Sequence, residues 1–260
     1  MYRLVHRLLY LLNLCRESNM SRHYFNPNMR ASSVVVSVTG DVNGDLIPDI
    51  VYVTGYRETD VSIIQNMTLG IRDGATGVSV NIPLKKNMGY DPILFLGDFT
   101  GDGINDILIV IPTGGSGGTT NSYVYSFVNN EPRLLFDSDG FNQAYQYDVT
   151  YKDNYKVEVF SKRDDTRYMI DLSLREPDYL NQIYDVDGKL KMPVSGWVDP
   201  ISGLYPVDFA FDNMYDLIAY QQIAGTYHAD SLGTIQSRLK WNGFMFILDY
   251  QDLAIYGSQG

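Results

Sequence analysis

The sequence has little cysteine and little glutamate, and each shortage argues against a class of structure or site. Cys15 is the only cysteine in 260 residues, which excludes a disulfide framework and a thiolate zinc site. Of the 31 acidic residues only 5 are Glu and 26 are Asp. Because Glu favours helices whereas Asp favours turns and caps, this balance disfavours a helical protein. No apolar run reaches the roughly 18 residues of a transmembrane helix, so we predict no membrane span.

Positive charge is also scarce. Lys and Arg number 20 against 31 Asp and Glu, so the formal net charge is −11. An acidic surface argues against sequence-independent binding of nucleic acid, which depends on neutralising phosphates, and against docking on anionic membranes. What the chain does have is 21 Tyr and 23 Gly, a composition that indicates strands joined by turns.

Residues 1–30 differ from the rest of the chain, because they hold five Arg and one acid, Glu17. We interpret them as a leader or upstream extension outside the domain. An export signal would use Leu8–Cys15 as its apolar core, but His6 and Arg7 interrupt the run and no small-residue cleavage site follows. The sequence therefore favours an upstream extension, with translation starting at Met20 or Met29, over an export signal.

An internal repeat is the strongest pattern in the sequence. In three segments Asp recurs at positions i, i+4 and i+8, and an apolar run follows at once. Chance would give about 0.25 such triplets in a chain of this Asp content. The first two copies begin 57 residues apart and the third begins 110 residues later, so a missing copy is expected near Asp153. The three triplets are Asp41, Asp45 and Asp49; Asp98, Asp102 and Asp106; and Asp208, Asp212 and Asp216.

Each unit offers about four strands, which predicts an all-β fold and a small β-propeller of four four-stranded blades across residues 31–257. The units lie near residues 31–90, 91–140, 141–200 and 201–257. A five-bladed or incompletely closed propeller is the alternative. Turns are expected at Asp73-Gly74, Asn129-Asn130 and Asn242-Gly243. The single helix-like stretch is Pro177–Tyr184.

The aspartate loops carry the pattern of a hard-cation site. In the first loop, side-chain oxygens stand at positions 1, 3, 5 and 9, and a backbone carbonyl stands at position 7. Oxygen ligands on alternate residues of a tight loop wrap Ca²⁺, which takes six to eight of them. Position 12 is Tyr52 rather than Glu, and a strand follows, so an EF-hand is excluded. The simpler interpretation is that these carboxylates only cap turns by accepting backbone N–H bonds.

The motif D-x-N-x-D-x-x-x-D between strands resembles the FG-GAP or VCBS repeat, the blade of integrin-α-like propellers. This resemblance covers about residues 31–257, and the whole chain is also similar to uncharacterised VCBS-repeat proteins of spore-forming bacteria. The resemblance implies calcium in every intact loop. The third loop has a short ligand set, because Ala210 offers no side-chain oxygen at position 3. The implied ligands are Asp41, Asn43, Asp45, Ile47 and Asp49; Asp98, Thr100, Asp102, Ile104 and Asp106; and Asp208, Asp212 and Asp216.

Other features favour ordinary structural roles. The glycine-rich stretch 113–119 lacks the Gly-Lys-Ser/Thr of a phosphate loop and is interpreted as a flexible connection. His228 is expected at the surface without a nucleophile, so we predict no catalytic set of nucleophile, base and orienting group. Trp197 and Trp241 could stack on a sugar, but core positions are favoured.

We therefore expect a calcium-binding, non-enzymatic interaction or structural module with Ca²⁺ as its cofactor. An extracellular, cell-surface or spore-associated location is favoured over the cytoplasm. The partner is an unknown protein or glycan. The alternatives are a carbohydrate-binding, lectin-like propeller, which exposed aromatic residues would favour, and a polysaccharide-active hydrolase, which paired free carboxylates would favour.

Overall fold

The fold is all-β and consists of three antiparallel sheets. The computed structural model describes residues 32–58, 61–255 and 257, all within one compact unit, Ser32–Gly260. The leader 1–30 and its interpretations lie outside the described residues. The first sheet has the order β1-β2-β3-β4. Its strands are β1 (Ser33–Gly40), β2 (Asp49–Arg57), β3 (Ile64–Arg72) and β4 (Ser79–Pro83).

The second sheet repeats this arrangement in the order β5-β6-β7-β8. Its strand β6 is apolar on both faces because it lies between two layers of core. Ile107, Ile109 and Ile111 pack in the cluster that includes the first sheet. Leu108 and Val110 pack in a second cluster on the opposite face. The strands are β5 (Ile93–Gly97), β6 (Asp106–Pro112), β7 (Thr120–Ser126) and β8 (Arg133–Asp137).

The third sheet is larger and runs in the order β11-β10-β9-β12-β14-β15-β16, with β13 paired to β14. The short strand β12 joins its two halves, pairing with β9 through Gly196 and with β14 through Trp197. The strands are β9 (Tyr147–Lys152), β10 (Lys156–Ser161), β11 (Arg167–Asp171), β12 (Ser195–Val198), β13 (Gly203–Val207), β14 (Asp216–Ala224), β15 (Ser231–Trp241) and β16 (Phe246–Ala254).

Two short α-helices interrupt the strands. Helix α1 (Ser138–Ala144) begins at Asp137, whose carboxylate accepts a bond from the Gly140 N–H at 2.8 Å. Helix α2 (Pro177–Ile183) starts with a proline, whose missing N–H costs nothing in the first turn. Tyr179 of α2 donates its hydroxyl to the buried carboxylate of Asp230 at 2.9 Å, which holds the helix against the third sheet.

The prediction of an all-β fold is confirmed, but the prediction of four propeller blades is wrong. The first two units do form four-stranded antiparallel sheets. The third and fourth do not form separate blades, because β12 bonds to both halves and merges them into one sheet. Gly196 permits this junction: a Cβ there would lie 2.2 Å from the carbonyl oxygen of Ala224.

Candidate functional site

The three aspartate loops, residues 41–49, 98–106 and 208–216, share one pattern of local hydrogen bonds. The first aspartate of each loop closes the turn by accepting backbone N–H groups. Asp98 accepts from Gly101 at 2.6 Å and from Gly103 at 2.8 Å, and Asp41 makes the equivalent bonds. In the third loop Asp208 accepts from Asp212 and Asn213. These are the turn-capping bonds of the simpler interpretation.

The last aspartate of each loop is the most buried of its three carboxylates. Asp49 is fully buried and accepts the Val42 N–H at 3.0 Å and the Gly74 N–H at 2.9 Å, so it also ties the loop to the β3–β4 turn. Asp106 accepts the Phe99 N–H at 3.0 Å. Burial raises the pKa of Asp106 to about 7; the Phe99 bond opposes this rise, and the charges of Asp102 and Asp98 add to it.

The third loop neutralises its last aspartate with a protein cation. Arg238 of β15 donates to the Asp216 carboxylate through Nε at 2.9 Å and through a terminal nitrogen at 2.6 Å. The equivalent bond to a loop N–H, seen at Asp49 and Asp106, is replaced by this ion pair. The guanidinium thus supplies the positive charge that the sequence assigned to calcium.

The middle aspartates make single local bonds. Asp45 accepts from the Ile47 N–H at 2.8 Å, Asp102 from Ile104 at 2.9 Å, and Asp212 from Met214 at 3.1 Å. The residues expected at position 3 differ in role. Asn43 accepts the Asp45 N–H and donates to Asn130, whereas Thr100 is half-buried in the second loop.

The calcium-binding description of these loops is corrected by their geometry. Within residues 32–58, 61–255 and 257, no three His, Cys, Asp or Glu side chains are grouped so that they could hold a metal ion. The carboxylate oxygens point instead at backbone N–H groups and at Arg238. In this structure the aspartates are turn formers.

The loops also pack against one another in a series, which the sequence did not reveal. Asn105 of the second loop donates to the Asp41 carbonyl at 2.9 Å. A Cβ built on Gly44 would lie 2.6 Å from Ile104 Cδ1, so the glycine makes room for that side chain. Between the second and third loops, the Tyr215 N–H donates to the Asp98 carbonyl at 2.8 Å, and Met214 lies over Gly101.

The series ends at Phe211, which stands in the third loop where the other two have glycine. Its φ is 58°, a left-handed backbone conformation that costs a bulky residue roughly 1–2 kcal/mol. Its side chain is 91% exposed. Phe211 therefore keeps a strained backbone while its ring makes little contact with the rest of the protein.

Beside this loop, the outer face of the third sheet carries a row of side chains across four strands. The register aligns Tyr205, Ile218, Arg238 and Tyr250 on β13, β14, β15 and β16. Tyr205 and Tyr250 are more than half exposed. Phe209 lies over the Arg238 guanidinium, whose carbon is 3.9 Å from the ring centroid. We call this surface the aromatic face.

Two clefts open on the aromatic face and share Phe209 and Arg238. The loop-side cleft, about 200 Å³, is also lined by Asp212, Met214, Lys240 and Trp241. The sheet-side cleft, about 230 Å³, is also lined by Ile218, Gln236, Tyr250 and Asp252. The Phe209–Arg238 pair therefore forms a saddle between two adjoining depressions.

A second polar cluster surrounds His228. The buried Asp199 carboxylate accepts from Trp197 Nε1 at 2.9 Å and lies 3.5 Å from His228 Nδ1. Among the described residues, no serine hydroxyl hydrogen-bonds to the His228 ring. The contact between His228 and the buried Asp199 is a feature that sequence reasoning missed, since 29 residues separate the two.

The fold and the aromatic face together define an all-β protein of antiparallel sheets with an open, aromatic surface. Within that class the chain belongs to the YybI family. It is 47% identical over 236 residues to "Uncharacterized protein YybI" of Bacillus subtilis (strain 168), covering 91% of this chain and 90% of the relative. The family described as the YybI C-terminal domain matches residues 145–254. No solved structure matches the chain.

These comparisons overturn the resemblance to FG-GAP or VCBS repeats. The matched segment 145–254 corresponds to the third sheet from β9 to β16, which is one continuous sheet rather than two repeat units. The aspartate triplets are real, but in this structure they shape loops between strands. In the described part of the chain, no helix is long and apolar enough to span a membrane.

Proposed function

We propose that this protein is a non-enzymatic interaction module and that the aromatic face is its binding surface. The observation that carries the proposal is the exposure of aromatic rings around Arg238, with the strained Phe211 at the edge. Exposed apolar residues that stand singly need no explanation, but a contiguous group rimmed by polar side chains marks an interaction site.

Arg238 suits the centre of such a surface because it is held rigidly. Two bonds to Asp216 and the overlying Phe209 ring fix its guanidinium. A preorganised anchor loses little conformational entropy on binding, and aromatic residues and Arg dominate the binding energy of interfaces.

The ligand of this surface could be a protein or a carbohydrate. The chemistry of the aromatic face favours a carbohydrate. Tyr250 and Tyr205 present flat rings, and Gln236 and Asp252 stand beside them in the sheet-side cleft. Rings for stacking and a few convergent hydrogen-bonding groups are the elements of a small-ligand site.

An affinity capture experiment tests the proposal. Tagged full-length protein would be incubated with a cell-envelope extract of Bacillus subtilis, and the retained proteins and glycans would be identified by mass spectrometry. We expect Phe211→Ser to reduce capture, because the ring is exposed and its removal also relieves the strained backbone. Tyr227→Ser is the matched control: Tyr227 is 58% exposed, but none of its chain neighbours lines a cleft, whereas Phe211 stands between Ala210 and Asp212 of the loop-side cleft.

Equal capture by Phe211→Ser, Tyr227→Ser and the unmodified protein would refute the aromatic face as the binding surface. Capture should be the same in calcium and in EGTA, because the loop carboxylates are already bonded within the protein.

A further inference from the structure

The loop-side and sheet-side clefts are open and adjoin across the Phe209–Arg238 saddle. Each is smaller than the roughly 300–1,000 Å³ of a pocket for a drug-sized ligand. The size of each therefore suits one small cyclic unit, and their continuity suits two linked units.

We propose that the paired clefts bind a neutral oligosaccharide, with one sugar unit in each cleft. This inference rests on the proposed function and names its ligand. The Phe209 ring at the saddle would lie against the linkage between the two units.

The exposed rings supply the apolar half of sugar recognition. Tyr250 is 60% exposed and lines the sheet-side cleft, and Phe209 is 43% exposed and lines both. An exposed ring packs against the C–H face of a pyranose and removes apolar surface from water on both sides.

The polar half comes from acceptors placed beside the rings. Asp252 lines the sheet-side cleft and is only half-buried, so its carboxylate can accept a hydrogen bond from a ligand there. A sugar hydroxyl donates a hydrogen bond of the strong, charge-assisted kind to a carboxylate. Gln236 in the same cleft can both donate and accept.

The charge of the clefts selects among polysaccharides. Asp212, Asp216 and Asp252 oppose Arg238 and Lys240, so the lining carries an excess of one negative charge. Arg238 is already committed to Asp216. Lys240 Nζ likewise lies 3.3 Å from Asp249. Both cations of the clefts thus already face a carboxylate, and the overall charge of −11 repels a carboxylated or phosphorylated polymer as well.

Calorimetric and NMR titration of the full-length protein tests the inference. The neutral probes are cellohexaose, laminarihexaose and chitohexaose, and hexagalacturonate is the anionic probe. We expect at least one neutral hexasaccharide to bind and hexagalacturonate not to bind. Tyr250→Ala and Asp252→Asn should each weaken that binding by about tenfold or more, the usual effect of losing a central contact.

Two matched controls accompany these variants. Tyr227→Ala removes an equally exposed ring outside the clefts, and Asp91→Asn makes the same chemical change at an exposed carboxylate. Both should leave affinity unchanged. A circular dichroism melt of each variant separates lost binding from lost folding, and Tyr250→Phe provides a second, conservative variant that should retain most of the affinity.

The possible outcomes are distinct. No binding of any neutral hexasaccharide, binding of hexagalacturonate as tight as that of the neutral probes, or equal affinity of Tyr250→Ala and the unmodified protein would overturn the inference. If capture in the envelope experiment still depends on Phe211 while no neutral hexasaccharide binds, the interaction function stands and its ligand is not this sugar. If neither assay depends on the aromatic face, both proposals fail.

Discussion

At the scale of single residues, the aspartates of the loops are unequal although their spacing is identical. Asp45 makes one exposed bond to its own loop, whereas Asp49 is fully buried and holds two distant N–H groups. Their contributions to stability should therefore differ, and in the opposite order from that expected of calcium ligands.

Asp49→Ala should lower the free energy of unfolding by about 1–3 kcal/mol or more, because it leaves the buried Val42 N–H without an acceptor. Asp45→Ala should cost about 0.5 kcal/mol or less, as is usual for an exposed site. Urea denaturation in calcium and in EGTA measures both. A large loss for Asp45→Ala that appears only in calcium would contradict the turn-forming role.

The raised pKa of Asp106 makes a prediction about pH. The folded-state pKa is about 7, above the value near 3.9 of an unfolded Asp. Between these values the folded state binds more protons than the unfolded state, so stability falls as pH rises from about 4 to about 7. Asp106→Asn keeps an acceptor for Phe99 and should flatten that fall.

Chemical denaturation of Asp106→Asn at several pH values between about 4 and 7 measures this effect. The exposed change Asp91→Asn is the control and should keep the slope of the unmodified protein. An unaltered slope in Asp106→Asn would mean that another group causes the pH dependence.

At the scale of elements, contacts between the aspartate loops hold neighbouring sheets together, in addition to the packing between their strands. The first loop begins after β1 and the second after β5, and their contact lies beside the packing of these two strands. Each contact depends on a glycine of positive φ at the fourth position, because a side chain there would meet the neighbouring loop.

Gly44→Ala and Gly103→Ala separate backbone strain from loop contact. Both glycines have left-handed φ values, 88° and 82°, so both substitutions incur a strain of roughly 1–2 kcal/mol. A Cβ at Gly103 meets nothing within 4 Å, whereas one at Gly44 meets Ile104. Gly44→Ala should therefore be the more destabilising of the two in thermal melts. Equal losses would show that the loop contact adds no stability.

At the scale of the whole molecule, the second sheet is the central layer. Its strand β6 contributes alternate residues to the clusters on its two faces. The second cluster joins Phe99 and Leu108 of this sheet to Leu217 and Leu239 of the third. The segment matched by the family model therefore shares its core with residues that precede it.

A fragment of residues 145–257 should not fold to a stable monomer, because it would expose the apolar surface that Leu108, Val124 and Phe136 cover. We expect low solubility or binding of a hydrophobic dye, in contrast to the chain from residue 32 onward. Analytical ultracentrifugation and dye fluorescence of the two fragments measure this. A monodisperse, cooperatively melting 145–257 fragment would show that the third sheet is self-sufficient.

Much of the local structure was determined by the sequence alone. The composition and turn signals predicted an all-β chain with about four short strands in each unit, and the run at Pro177 predicted helix α2. The turns at Asp73-Gly74, Asn129-Asn130 and Asn242-Gly243 are confirmed between the expected strands. These features depend on side-chain alternation and turn chemistry, which act over a few residues.

Only the tertiary structure decided what the repeat becomes. The short strand β12 has no strong periodicity, yet its pairing with both β9 and β14 merges two predicted blades into one sheet. Arg238 lies 22 residues from Asp216 and still neutralises it, because adjacent strands bring the two together. The aromatic face likewise assembles from four strands whose register no local pattern encodes. The nine-residue spacing of the aspartates acts locally and determines the shape of each loop. The groups that the loop carboxylates bond, such as Arg238, come from residues distant in the sequence, so only the tertiary structure determines them.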